Sequence, residues 1–66
     1  MQEQIGIAAG SIYQFLKSKG ENTTATLKKE LSLDANLIPL GIGWLAREGK
    51  VNVRTKGKSL YVSLNN

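Results

Sequence analysis

Basic residues dominate the C-terminal third of this 66-residue sequence. No acidic residue follows Glu48, and the next ten positions hold four cations: Lys50, Arg54, Lys56 and Lys58. The whole chain has nine Lys and Arg against five Asp and Glu, which gives a net charge of +4 and a pI near 9.7. Ammonium and guanidinium groups pair with phosphates, so the cluster favours a polyanionic partner. A solvated surface without a partner is the alternative.

Catalytic and metal-binding chemistry has few candidate residues. The chain contains no cysteine and no histidine, which removes thiol nucleophiles, disulfides, the usual zinc ligands and the commonest general base. No carboxylate pair, nucleophile beside a base or glycine-rich phosphate loop is recognisable. We therefore expect a protein that is not an enzyme, with no catalytic site, metal, cofactor or small-molecule ligand.

The sequence gives no indication of a membrane or of export. Its longest apolar segment, residues 37–45, is broken by a proline and two glycines and is far shorter than the roughly 20 residues that span a bilayer. Gln2, Glu3 and Gln4 stand where a signal peptide would carry Lys or Arg. We expect a cytoplasmic protein without a membrane partner.

One small domain, residues 1–66, must position the cations. The hydrophobic fraction of 41% is typical of a folded chain, and no repeat or linker is visible. Because a chain of this size buries only about 60% of its unfolded surface, its stability should be marginal. Dimerisation would add to that stability.

Apolar residues at helical spacing predict three helices, over about residues 3–19, 24–31 and 36–48. Gly20 suits the left-handed C-cap of the first helix, and residues 22–24 supply N-cap chemistry for the second. The residues expected to face inward are Ile5, Ala8, Ala9, Ile12 and Leu16 in the first helix, Leu27 and Leu31 in the second, and Ile38, Ile42 and Leu45 in the third.

Pro39 constrains the start of the third helix. With Asn36 as N-cap, Pro39 occupies the third helical position, whose N–H has no intrahelical partner. With Asp34 as N-cap, the proline ring would crowd a carbonyl one turn back and kink the helix. We expect Asn36 as the N-cap, or a distorted first turn.

From Val51 the period changes from 3.6 to 2, which predicts two strands over about residues 51–55 and 59–64. Gly57 lies between them in a short turn that fits a tight hairpin. The apolar faces of both strands, with Val51, Val53, Leu60, Val62 and Leu64, are expected to cover the edge of the three-helix core.

Gly6 and Gly10 lie four residues apart inside the first helix, where each costs about 1 kcal/mol of helix propensity relative to Ala. Close approach of another helix or of a partner subunit would account for them. A site that simply tolerates glycine is the alternative.

Two segments carry a family resemblance. The residues from Gly43 to Val51, GWLAREGKV, resemble the end of the third helix of a winged helix-turn-helix domain passing into its first wing strand, and Thr24-x-x-Leu27-x-x-x-Leu31 resembles its helix-2 pattern. The whole chain is similar to a family of small stand-alone winged-helix proteins of bacteria and archaea. The resemblance implies an α+β fold, a three-helix core with a C-terminal two-stranded β-hairpin wing, and a cytoplasmic homodimer.

In such folds the second helix of the motif enters the DNA major groove. Here that helix would turn Asn36, Leu40, Gly43 and Arg47 outward, and of these only Asn36 and Arg47 can hydrogen-bond a base. We therefore expect double-stranded DNA to be bound with low sequence specificity in transcription regulation. Phosphate contacts are expected from Lys28, Lys29, Arg54, Lys56 and Lys58. Alternatively, Arg47 complements the helix dipole or pairs with an acid, and Lys28 and Lys29 only aid solubility.

A second hypothesis is a protein-interaction or homodimerisation module that keeps the fold without binding DNA. The contact residues would be Ile7, Pro39, Leu40 and Trp44, because a large exposed apolar patch usually marks a binding site. For Trp44 the alternative is burial against the wing.

Overall fold

Three helices lead into an antiparallel sheet in the computed structural model, which describes residues 2–65, with side chains from Glu3 onward. In chain order the elements are α1 (Gln2–Lys19), β1 (Asn22–Thr23), α2 (Thr24–Leu31), α3 (Leu37–Arg47), β2 (Val51–Lys56) and β3 (Ser59–Leu64). The predicted α+β class, a three-helix core followed by a hairpin, is confirmed. The two ends of the predicted domain, Met1 and Asn66, lie outside the described residues.

The core lies where the three helices meet the inner face of the sheet. Its fully buried large side chains include Ile12 of α1, Leu27 of α2, Ile38 of α3 and Val62 of β3. Ile5 and Leu31, which helical spacing also turns inward, are only half-buried. The remaining buried hydrophobic residues are Ala8, Ala9, Leu16, Ile42, Leu45 and Val51.

Helices α1 and α3 approach each other most closely at Gly41. A Cβ built there would lie 2.9 Å from Cδ1 of Ile12 and 3.2 Å from the backbone nitrogen of Ala9. A Cβ at Gly6 or Gly10 would meet nothing within 4 Å, so no other helix of this chain packs closely on those two glycines. Close packing within the chain therefore explains Gly41, whereas a partner subunit and simple tolerance remain open for Gly6 and Gly10.

We predict that Gly41→Ala destabilises the fold and that Gly43→Ala stabilises it. Overpacking at Gly41 costs about 1–3 kcal/mol, which outweighs the roughly 1 kcal/mol that alanine adds to a helix. Gly43, two residues away on the exposed side of α3, gains only the helix term because nothing lies within 4 Å of its Cβ position. Thermal unfolding of both variants gives the measurement, with shifts of about 4–8 °C per kcal/mol in a domain this small. Equal shifts of the same sign would contradict the close contact.

The connection between α2 and α3 confirms Asn36 as the N-cap residue, with a different set of hydrogen bonds from a side-chain cap. Asn36 is the N-cap of α3 by position, but its side chain makes no capping hydrogen bond. Instead, the backbone N–H of Asn36 donates to the carboxylate of Asp34 at 2.9 Å, and the backbone N–H of Leu37 donates to the Asp34 carbonyl. Both candidate residues therefore take part in the cap, Asn36 by its position and Asp34 by its hydrogen bonds. Pro39 lies in the first turn, where it removes no hydrogen bond of the helix.

A third strand joins the hairpin, which sequence periodicity did not predict. Strand β1 pairs antiparallel with β3, so the order across the sheet is β1-β3-β2. The same segment caps α2, because Oγ1 of Thr23 accepts a hydrogen bond from the backbone N–H of Thr26 at 3.2 Å. Two residues are too few to show an alternating pattern, so only the pairing reveals this strand.

The edge strand β2 and the end of the hairpin nearest the turn extend beyond the core. Val51 and Val62 are buried, but Val53, which pairs with Val62 from the edge strand, is 43% exposed, and Leu60, nearer the turn, is 41% exposed. The expectation that the apolar faces of both strands cover the core is therefore wrong at Val53 and Leu60. Alternation identifies the face to which a side chain belongs, whereas burial also requires an element packed opposite it.

Candidate nucleic-acid interface

The C-terminal end of α3 sets the direction of the wing, the hairpin formed by β2 and β3. Gly49 adopts a left-handed conformation with φ +72°. Its backbone N–H donates to the carbonyl of Ala46, and the backbone N–H of Lys50 donates to the carbonyl of Leu45 at 2.9 Å. This pair of hydrogen bonds is the Schellman motif, which closes a helix and reverses the chain. Strand β2 then begins at Val51, so the wing is fixed directly to α3.

The wing ends in a two-residue turn that contains one lysine and follows another. Lys56 pairs with Ser59, which leaves Gly57 and Lys58 as the turn. Gly57 has φ +62°, as expected for the first central residue of a type II′ turn, where glycine is favoured. Lys56 and Lys58 are exposed, so two ammonium groups stand on the part of the sheet that extends beyond the core.

Arg54 is exposed, but it already has an acidic partner. Its Nη2 donates to Oε2 of Glu21 at 2.6 Å, and the two side chains remain 68% and 35% exposed. Sequence analysis did not single out Glu21, which lies 33 residues away in the segment between α1 and β1. No local spacing signals such a pair, because the register of a three-stranded sheet brings the two residues together.

Lys50, the first cation of the basic cluster, lies against α1. Its Nζ is 5.9 Å from the centroid of the Tyr13 ring. At this distance the ammonium group gains a cation–π attraction, so Lys50 also helps to hold the start of the wing on α1.

The outward residues of α3 are oriented as predicted. Asn36, Leu40, Gly43 and Arg47 are all exposed, while Ile38, Ile42 and Leu45 face the core. Within residues 3–65 Arg47 takes part in no ion pair, although it lies in the last turn, where a cation complements the helix dipole. Only the Asn36 amide and the Arg47 guanidinium on this face can read a base edge.

Lys28 and Lys29 occupy the last turn of α2, and both are exposed. This position allows phosphate contacts at the front of the motif, and it also complements the α2 dipole. Their predicted role in DNA binding stays a prediction.

An apolar surface lies beside the basic one, along the crossing of α1 and α3. Ile7 is 68% exposed, Leu40 43% and Trp44 42%, and the ring of Pro39 is also exposed. Ile7 and Leu40 line one shallow concavity between the two helices, whereas Trp44 lines a second one with Gly10 of α1. The alternative of a Trp44 buried against the wing is therefore wrong. We call Ile7, Leu40 and Trp44 the apolar face.

Buried polar groups and clusters of metal ligands are absent from the described part of the chain. No charged or polar side chain is buried there, and no three His, Cys, Asp or Glu residues are grouped to hold a metal ion. None of the described helices is both long enough and apolar enough to cross a membrane.

Three helices in this order, closed by a hairpin that carries cations on its tip, define a winged helix-turn-helix protein. The chain belongs to the winged helix-turn-helix domain family DUF2582, which matches residues 1–64, and the predicted family resemblance is confirmed. It is similar to the uncharacterized protein MJ1608 of Methanocaldococcus jannaschii, with 36% identity over an alignment 67 residues long. The alignment covers 97% of this chain and 94% of that one. No solved structure gives a significant match.

Proposed function

We propose that the protein is a DNA-binding module of low intrinsic sequence specificity that acts in transcription regulation. The observation that carries the proposal is the wing, whose exposed Lys56 and Lys58 stand on a glycine turn beyond the core. Membership of a winged helix-turn-helix family supports the same reading. The proposal includes a cytoplasmic location and no enzymatic activity, so turnover of any substrate would contradict it.

Low specificity follows from the composition of the exposed side of α3. Two of its four outward residues, Leu40 and Gly43, offer no hydrogen-bonding side chain to a base pair. A good bidentate contact provides about 1–3 kcal/mol of discrimination, and only Asn36 and Arg47 are able to supply one. Phosphate contacts from the wing position a protein on a duplex without reading its sequence.

Titration of a labelled mixed-sequence duplex with the protein tests this function directly. Fluorescence anisotropy at low salt should show binding, and log K should fall linearly with log salt because bound cations displace counterions from the duplex. An unrelated duplex of equal length should bind with similar affinity. Absence of binding at low salt would contradict the proposal.

Homodimerisation is the second proposed function, and the exposed apolar face favours it. Ile7, Leu40 and Trp44 are exposed in two shallow concavities formed by α1 and α3, and a Cβ at Gly6 or Gly10, which line the concavity of Trp44, would meet nothing within 4 Å. Burial of this apolar face in a second copy would stabilise a domain whose own core is small. Because Leu40 also belongs to the outward side of α3, such a dimer would cover part of the face proposed to meet the bases. Phosphate contacts from Lys56 and Lys58 do not involve the apolar face, so self-association and binding through the wing are compatible.

A further inference from the structure

Strand β2 of the wing carries a second cationic position, in which a carboxylate of the same chain already pairs with the cation. Arg54 and Lys56 are two residues apart on β2 and therefore share a face of the strand. With Glu21, Thr55 and Tyr61 they line a shallow polar concavity. Inside it, the Glu21 carboxylate lies within hydrogen-bonding distance of the Arg54 guanidinium.

Two features of the fold hold Glu21 in this place. Gly20, with φ +83°, ends α1 in a left-handed conformation and directs the chain towards the sheet. Strand β1 follows immediately, and its Thr23 pairs with Tyr61, which in turn pairs with Arg54 across β3. Glu21 is therefore carried to the Arg54 side of the sheet by backbone pairing, and the ion pair does not depend on a flexible loop.

We propose that Arg54 and Lys56 form a subsite for a DNA backbone phosphate, and that the Glu21 carboxylate competes with this phosphate for the Arg54 guanidinium. This inference rests on the proposed DNA binding. A carboxylate and a phosphate are both acceptors for guanidinium donors, and the Glu21 carboxylate takes the Nη2 donor of Arg54 and offsets its positive charge.

The competition lowers the number of phosphates that the wing neutralises. The Glu21 carboxylate, 2.6 Å from the Arg54 guanidinium, offsets the charge of Arg54, so a phosphate placed there gains little from this residue. The Glu21 carboxylate also repels a phosphate directly, and this repulsion opposes binding. The protein consequently holds DNA less tightly, and with a shallower salt dependence, than its count of basic residues implies.

The test is the variant Glu21→Gln, measured by anisotropy with the same mixed-sequence duplex. Release of Arg54 should add about one phosphate contact, which steepens the slope of log K against log salt by about 0.9 and tightens binding about fivefold near 150 mM salt. Glu3→Gln, which makes the same charge change in the first turn of α1, is the matched control and should have a much smaller effect.

Arg54→Gln completes a double-mutant cycle that separates competition from a general charge effect. In the native background it should change affinity less than about twofold, whereas in the Glu21→Gln background it should abolish the whole gain. Equal affinities for Glu21→Gln and Glu3→Gln, with native protein that binds, would overturn the inference and leave DNA binding intact. No binding by native protein or by Glu21→Gln at low salt would overturn both. Binding by Glu21→Gln alone would support the competition.

Discussion

Replacement of Lys56 and Lys58 together by glutamine should weaken binding to a mixed-sequence duplex about thirtyfold near 150 mM salt. The slope of log K against log salt should become shallower by about 1.8, because each phosphate contact contributes about 0.9 to that slope. Both lysines are exposed at the wing tip, and neither supports the core, so the variant should fold like the native protein. Anisotropy titrations at several salt concentrations, with circular dichroism as a folding check, provide the measurement.

A matched control separates the wing from net charge. Lys17 and Lys19 lie in the last turn of α1, outside the wing, and are also exposed. Their double replacement by glutamine removes the same two charges, so a loss caused only by net charge would be equal in the two variants. A much smaller loss for the α1 variant would show that the wing contacts the duplex, and equal losses would contradict that assignment.

Periodic patterns in the sequence predicted the three helices and the two long strands, because their apolar positions recur over several turns or residues. The inward triplet of α3, Ile38, Ile42 and Leu45, is buried because helical spacing fixes which side chains share a face. The positive φ of Gly20 and Gly49 was equally predictable, since a helix that ends in a left-handed residue strongly favours glycine. These features depend only on the local chain.

The features that the sequence did not reveal all depend on contacts between distant segments. Strand β1 exists because Asn22 and Thr23 lie beside β3, and its two residues have no pattern of their own. The close approach at Gly41 depends on which part of α1 crosses α3. For the same reason, Arg54 looked like a free phosphate ligand in the sequence, whereas the structure pairs it with Glu21. The roles of Asn36, Arg47, Lys28 and Lys29 in DNA binding stay predictions.

Truncation of Ile7 and Leu40 together to alanine should weaken self-association by at least about thirtyfold. A loss of about 1 kcal/mol or more at each of these two apolar side chains, once they are removed from water in the interface, adds to about 2 kcal/mol, which corresponds to about thirtyfold in Kd. Trp44, the one tryptophan of the chain, lies on the same apolar face and stays in place as a reporter. Its emission should shift to shorter wavelength as the native protein dimerises with rising concentration. In the variant the shift should require much higher concentration, and sedimentation velocity should give the matching masses.

The wing supplies the matched control for this variant. Val53 and Leu60 are about as exposed as Leu40, yet they lie on the sheet, away from α1 and α3. Their double truncation to alanine also removes exposed apolar surface, although less than truncation of Ile7 and Leu40, and it should leave the dimer intact because the interface is specific to the apolar face. Equal weakening by both pairs would contradict the assignment of the interface to α1 and α3. Native protein that sediments as a monomer, with no concentration-dependent change in Trp44 emission, would contradict the dimer itself. In that case the exposed Ile7, Leu40 and Trp44 would need a different partner to cover them, since they are large hydrophobic side chains that the described helices leave open to water.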